Sequence, residues 1–278
     1  MTTERTTERT VTADPVAGLG LDAVDSDVVD STAAARHANP HRTADQMAYA
    51  TLGVVGELLI TLGLALLAFL VWQLWWTDVE ANRAQAHIVD ELYADAPVPP
   101  PTPAVPGEGD PPVLEEPGHA VTFASFQAPR WNGEPARPIS QGTDRAGVLD
   151  PLGIGHYKGT AMPGGVGNFA VAGHRTTYGK PFNRVAELQT GDALVIWTPQ
   201  TWYVYKVTST QIVRPTQTDV VAPVPGQVGV APTQRLITMT TCHPMFSAQQ
   251  RYIVHGELDY WAPTTSGTPQ ELLDAGGR

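Results

Sequence analysis

Cysteine is almost absent: Cys242 is the only one in 278 residues. One thiol excludes any internal disulfide, so packing alone holds the fold together. Basic clusters are missing too. Lysine occurs three times and arginine fourteen times, scattered and without interleaved aromatics, which excludes a nucleic-acid surface and leaves no nucleic-acid partner expected. The bias toward arginine, alanine and proline matches GC-rich codons and hints at a high-GC bacterium. Carboxylates are scarce where a cation would need them. The stretch VRPTQTDVVAPVPGQVGVAPTQR (213–235) holds one acid, Asp219, while Glu187 and Asp192 are each isolated in sequence. Calcium takes about six to eight oxygen ligands, so neither a metal nor any other cofactor is expected.

The net charge of −11 belongs to the flanks. Residues 1–50 carry eight acids against four arginines, residues 78–118 carry nine acids against Arg83, and residues 119–278 hold twelve bases and ten acids. The first 50 residues, opening TTERTTERT, are polar without helical periodicity and read as a disordered cytoplasmic tail. Next comes LLITLGLALLAFLVWQLWW (58–76), whose polar interruptions are Thr61 and Gln73. At ~1.5 Å per residue such a run crosses the hydrocarbon core of a bilayer. Trp72, Trp75 and Trp76 at its end suit the membrane interface. The run is longer than a secretory h-region and starts late, so residues 51–77 read as an uncleaved transmembrane signal anchor. Arg36 and Arg42 precede it and Arg83 alone follows closely, which puts the N-terminus in the cytoplasm and the rest outside.

Residues 97–117 contain nine prolines, incompatible with a helix or an interior strand. The expectation for residues 78–118 is a Pro-rich extracellular spacer, extended like polyproline II. From 119 to 262 the pattern turns to short β-rich segments: NFAVAGH (168–174), ALVIWT (193–198), WYVYKVTSTQIV (202–213), RLITMTT (235–241) and RYIVHGEL (251–258). Gly and Pro punctuate them, and PFNRVAEL (181–188) offers at most two helical turns. An all-β barrel or sandwich follows. Residues 263–278, PTTSGTPQELLDAGGR, read as a flexible tail.

Cys242 ends one of these strands and Arg251 opens the next. If the two pair antiparallel, a thiol and a guanidinium share one rim of the sheet. A nearby cation favours thiolate over thiol, and an arginine can stabilise an oxyanion on an attacked carbonyl. A cysteine nucleophile also needs a base. His243 is adjacent, but neighbouring strand positions face opposite ways. His174, ending NFAVAGH, is the other candidate, since remote Cys and His are commonly united by the fold. The alternatives are a small buried structural cysteine, or zinc ligation by Cys242, His243, His255 and His174, for which the spacing is poor and an arginine unfavourable.

The motifs TMTTC, an arginine nine residues on, and an upstream AGHR resemble the sortases; GHYKGTAMPGGVGNFAVAGHRTTYGKPF and TTCHP are most similar to the class E sortases of actinobacteria. The resemblance spans roughly residues 130–260, and Met239 stands where the family has leucine. It implies a sortase-like eight-stranded β-barrel with short helices as a catalytic domain over 119–262, behind a single transmembrane helix. Carried over, Cys242 is the nucleophile, His174 the general acid/base and Arg251 the carbonyl clamp. Tyr157 is linked to selecting alanine, and Thr241 also contacts substrate. The implied partners are secreted proteins bearing a C-terminal Leu-Ala-x-Thr-Gly signal and an amine of a peptidoglycan precursor. The implied reaction is cleavage between Thr and Gly through a thioester, followed by attachment to the cell wall at the bacterial membrane. A non-catalytic, membrane-anchored β-domain is the rival.

Overall fold

Alternating apolar residues and short turns build eight strands: β1 (Thr122–Gln127), β2 (Arg137–Gln141), β3 (Ile154–His156), β4 (Gly167–Gly173), β5 (Ala193–Trp197), β6 (Thr201–Val213), β7 (Arg235–His243) and β8 (Gln250–Pro263). They close into a barrel in the order β1-β2-β3-β4-β7-β8-β6-β5. This computed structural model describes residues 40–276. Alternate residues of each strand fill the interior. Phe169 and Val171 from β4 meet Ile237 and Met239 from β7, with Phe126, Phe182, Tyr203 and Tyr205 around them. Each fully buried large apolar side chain contributes about 1.5–3 kcal/mol. The Tyr205 hydroxyl accepts the Gly164 N–H at 2.8 Å, so this buried polar group is not left unpaired.

Two pairings position the site. Strand β4 runs parallel to β7, with Val171 opposite Met239 and Ala172 opposite Thr240. Strand β8 returns antiparallel to β7, with Cys242 opposite Arg251 and His243 opposite Gln250. Parallel neighbours need a long crossover; here β5 and β6 lie between them in the chain.

The flanks depart from expectation. Residues 1–39 of the expected tail lie outside the described residues, but residues 40–50 are helical, within α1 (Pro40–Leu92). Among the described residues, this is the one helix long and apolar enough to cross a membrane. It continues through residues 78–92, which were expected to belong to the spacer. The reason is composition: DVEANRAQAHIVDEL is made largely of good helix formers, and no proline occurs between Pro40 and Pro97. Gln85 is buried, and Asp78, Val79, Ala81, Asn82, Ile88, Val89 and Leu92 around it are half-buried, a stripe at helical spacing. Asp78 pairs with Lys180 at 2.9 Å, and Arg137 donates to Asn82 and Gln85.

Residues 93–118 dock on the barrel. The Tyr93 ring stacks on Trp197 with centroids 3.6 Å apart, and its hydroxyl donates to Trp197 O at 2.5 Å. Farther along, Tyr203 Oη donates to Pro112 O (2.6 Å), and Glu116 accepts from Gln141 Nε2 (2.6 Å) and the Gly159 N–H. A polyproline-like strand exposes its carbonyls, and the barrel supplies donors to them. The C-terminal residues are likewise ordered up to 276. Thr264 is fully buried, Thr268 exchanges backbone hydrogen bonds with residues 102–104, and Glu271 on α3 (Gln270–Gly276) pairs with Lys206 at 2.6 Å. Residues 277–278 lie outside the described ones. Residues 185–187 form a single 3-10 turn where two helical turns were the upper expectation.

Two histidines, His156 buried and His255 half-buried, give the fold a pH dependence. His156 is fully buried, with Nδ1 2.6 Å from Gln141 Oε1, and burial pushes its pKa down. Burial lowers His255 as well. Both folded values fall below the unfolded histidine value of ~6.5. The unfolded chain therefore binds more protons as pH drops below that value, and stability falls with it. Thermal unfolding should occur at lower temperature at pH 5 than at pH 7.5, with a weaker pH dependence in His255→Gln. An unchanged pH dependence in that variant would contradict the assignment.

Candidate active site

Four of the segments described above converge on one rim of the barrel and enclose a cleft of about 610 Å³. It is lined by His174, Cys242 and Arg251, and also by Tyr157, Thr240 and Thr241. All five residues singled out from the sequence thus meet in one place. The strands explain why. Ile237 and Met239 face inward, so Cys242, an odd number of positions away, faces outward. Its register partner Arg251 shares that face. Continuing the β4–β7 register by two residues from Ala172–Thr240 puts His174 beside Cys242 on the other side.

Cys242 is a free, half-buried thiol. Arg251 Nη1 donates to Ala248 O (2.9 Å) and Gln250 O (3.0 Å), fixing the guanidinium to the β7–β8 turn. Its Nε and Nη2 groups have no hydrogen-bond partner among the described residues and remain to donate to a substrate. The Tyr157 hydroxyl lies 3.0 Å from Thr240 Oγ1, joining β3's exit to β7. Thr241 Oγ1 donates to Gly173 O at 2.7 Å, so its hydroxyl ties β7 to the end of β4. Such a bond holds the Cys242 and His174 backbones together.

His243 is engaged elsewhere. Arg175 Nη1 lies 2.8 Å from His243 Nδ1 and donates to the Cys242 carbonyl at 3.3 Å. A guanidinium only donates, so His243 Nδ1 is occupied as an acceptor. His255 bonds to Thr238 and Gln211, four strand positions from Cys242, roughly 13 Å along β7–β8. The zinc alternative required these histidines together. Among the described residues, no group of three or more His, Cys, Asp or Glu side chains is placed to hold a metal ion.

Two residues of the site escaped the sequence. Asp150, on α2 (Asp150–Leu152), lies with Oδ1 2.6 Å from His174 Nε2. An Asp-Pro pair signals only a helix start; nothing in one sequence links it to residue 174. Arg175 is buried with no carboxylate partner among the described residues, and its guanidinium sits 5.5 Å from the Tyr252 ring centroid. Its place directly after His174 was the one available signal.

A closed eight-stranded barrel carrying a cysteine, a histidine and an arginine around one outer cleft defines a narrow class of proteins. The chain belongs to the sortase family: residues 127–259 match the Sortase domain. Sortase SrtE1 of Streptomyces coelicolor is 36% identical over 229 residues, covering 79% of this chain and 60% of the relative. The chain thus spans 60% of that relative's length. Among solved structures, the SrtA sortase from Actinomyces oris is 43% identical with a TM-score of 0.58, covering 60% of this chain and 96% of that one. Sortase E1 from Streptomyces coelicolor, solved with a tripeptide in its active site, is 38% identical with a TM-score of 0.51, covering 54% and 96%.

Proposed function

We propose that this protein is a membrane-anchored cysteine transpeptidase of class E. It cleaves a Leu-Ala-x-Thr-Gly signal between Thr and Gly and joins the new carboxyl end to an amine of a peptidoglycan precursor. The observation that carries this reading is the shared cleft, with Arg251 opposite Cys242 in strand register and His174 just past the end of β4, the parallel neighbour of β7. Family membership and the tripeptide bound in the active site of the Streptomyces coelicolor relative support it further. The long apolar stretch of α1 supports anchoring, and Arg36 and Arg42 before it against Arg83 alone after it support a cytoplasmic N-terminus with the barrel outside.

The chemistry follows from the three side chains. The Cys242 thiol gives its proton to His174, and Sγ attacks the threonine carbonyl carbon. The developing oxyanion takes hydrogen bonds from the free N–H groups of Arg251. His174 then protonates the glycine nitrogen as the C–N bond breaks, leaving a thioester on Cys242. An incoming amine attacks that thioester and loses its proton to His174. The amide forms, the thiolate leaves, and the proton returns to sulfur. The thioester retains enough free energy for transfer without a nucleotide.

Tyr157 and Thr240, bridged on the outer face beside Cys242, form the part of the wall that favours a small second residue in the signal. Offered equal Leu-Ala-x-Thr-Gly and Leu-Pro-x-Thr-Gly peptides, the protein should cleave the first at least ~10-fold faster, the discrimination a single pocket contact can supply. Tyr157→Ala should narrow that ratio. Cleavage of neither peptide, or a preference for proline, would overturn the class E reading.

A further inference from the structure

We infer that Asp150 is the positioning residue for His174, and that the foot of α1 braces the pair from behind. This rests on the transpeptidase reading and extends it to residues outside the Cys-His-Arg set. His174 Nε2 lies 2.6 Å from Asp150 Oδ1, with both side chains largely buried. A carboxylate only accepts, so Nε2 carries a proton and donates it. His174 Nδ1 has no hydrogen-bond partner among the described residues. The nitrogen available for proton transfer is therefore Nδ1: it takes the Cys242 thiol proton and returns it to the leaving amine. The Asp150 carboxylate stabilises the imidazolium that forms, the role an acidic residue has in orienting a catalytic histidine. Two other groups face the pair. Arg145 Nε stands 3.6 Å from the same oxygen on an exposed side chain, and the Tyr178 ring lies 5.2 Å from the imidazole.

The brace is a separate set of contacts. The segment carrying Asp150 ends at Gly153 (φ +95°), and the loop after His174 passes through Tyr178, Gly179 and Lys180, all at positive φ. Such backbone is strained for the two non-glycine residues and persists only when its surroundings fix it. Gln85 fixes both segments. It is 1% exposed, and a Cβ on Gly153 or on Gly179 would come within 3.0 Å of its side chain. Gln85 Nε2 donates to Tyr178 O at 3.1 Å, and Asp78 accepts from the Gly179 N–H at 3.3 Å. The helix that carries the apolar span thereby ends its run against the supports of the catalytic pair.

The test uses the full chain in detergent micelles with ¹⁵N-labelled histidine, the His174 signals being assigned by their loss in His174→Gln. Resting wild type should show a proton on His174 Nε2, held by Asp150. Asp150→Asn should give a mixture of tautomers and lower kcat about 100-fold with KM little changed, within the range general acid–base catalysis supplies. Asp150→Glu should recover part of that loss. Gln85→Ala should lower kcat by about 10-fold, the order of a small misplacement of the histidine. An Nδ1–H tautomer in wild type, or kcat in Asp150→Asn within about 2-fold of wild type, would overturn the inference; so would a loss seen only in thermal stability. Should Asp150→Asn not fold, the wild-type tautomer and Asp150→Glu still decide. The tautomer is read without substrate, so a chain that cleaves no peptide would defeat the transpeptidase reading while leaving this measurement valid.

Discussion

Cys242→Ala is expected to abolish both cleavage and transfer, by about 10⁴-fold or more, while the barrel remains folded. The sulfur is the only nucleophile of its kind in the chain, and alanine can form no thioester. Structurally the change is small. Cys242 is half-buried at the end of β7 with its side chain on the outer face, so truncation opens no interior cavity. A substitution of that sort costs at most about 0.5 kcal/mol. Activity lost together with the fold would mean that the thiol is structural after all. Full activity in the variant would remove cysteine chemistry from the account.

The second large effect separates two histidines. His174→Ala should lower kcat by about 10²- to 10⁴-fold, the contribution of a positioned acid–base group. His243→Ala should act on stability instead. It would leave the buried Arg175 guanidinium without one acceptor, at a cost of about 1–3 kcal/mol, with turnover reduced only mildly. Steady-state kinetics and thermal unfolding on both variants distinguish these outcomes. A larger kinetic loss in His243→Ala than in His174→Ala would make His243 the base and reverse the assignment.

Legibility in the sequence followed the kind of side chain each element buries. Strands β4 to β8 are rich in Val, Ile and aromatics, and their positions were readable to within a few residues. Strands β1 to β3 were not. TFASFQ, RPISQ and IGH are short, and they bury polar groups such as Ser125, Arg137, Gln141 and His156 that no hydropathy pattern would place inside. The same cause hid the foot of α1, whose less exposed face mixes Asp78, Asn82 and Gln85 with apolar residues instead of forming a stripe of leucines. Residues 93–118 and 263–276 looked unstructured because proline and threonine give them no periodicity. Their order comes from hydrogen bonds to the barrel, such as those of Pro112, Glu116 and Thr268.

Within the site, proximity of Cys242 and Arg251 was deducible, since a short turn between two strands forces them into register. Proximity of His174 was not, because it depends on parallel pairing of β4 with β7 across some sixty intervening residues. There the family resemblance supplied what pattern could not. Asp150 had neither signal; only the folded chain brings it to His174.

The most direct test of the central claim is intact-protein mass spectrometry of the full chain mixed with a Leu-Ala-x-Thr-Gly peptide and no acceptor amine. The expected result is a mass increase equal to the peptide's portion up to threonine, located on Cys242, lost on adding hydroxylamine and absent in Cys242→Ala. Peptide cleavage with no adduct on Cys242, or an adduct that persists in Cys242→Ala, would contradict it.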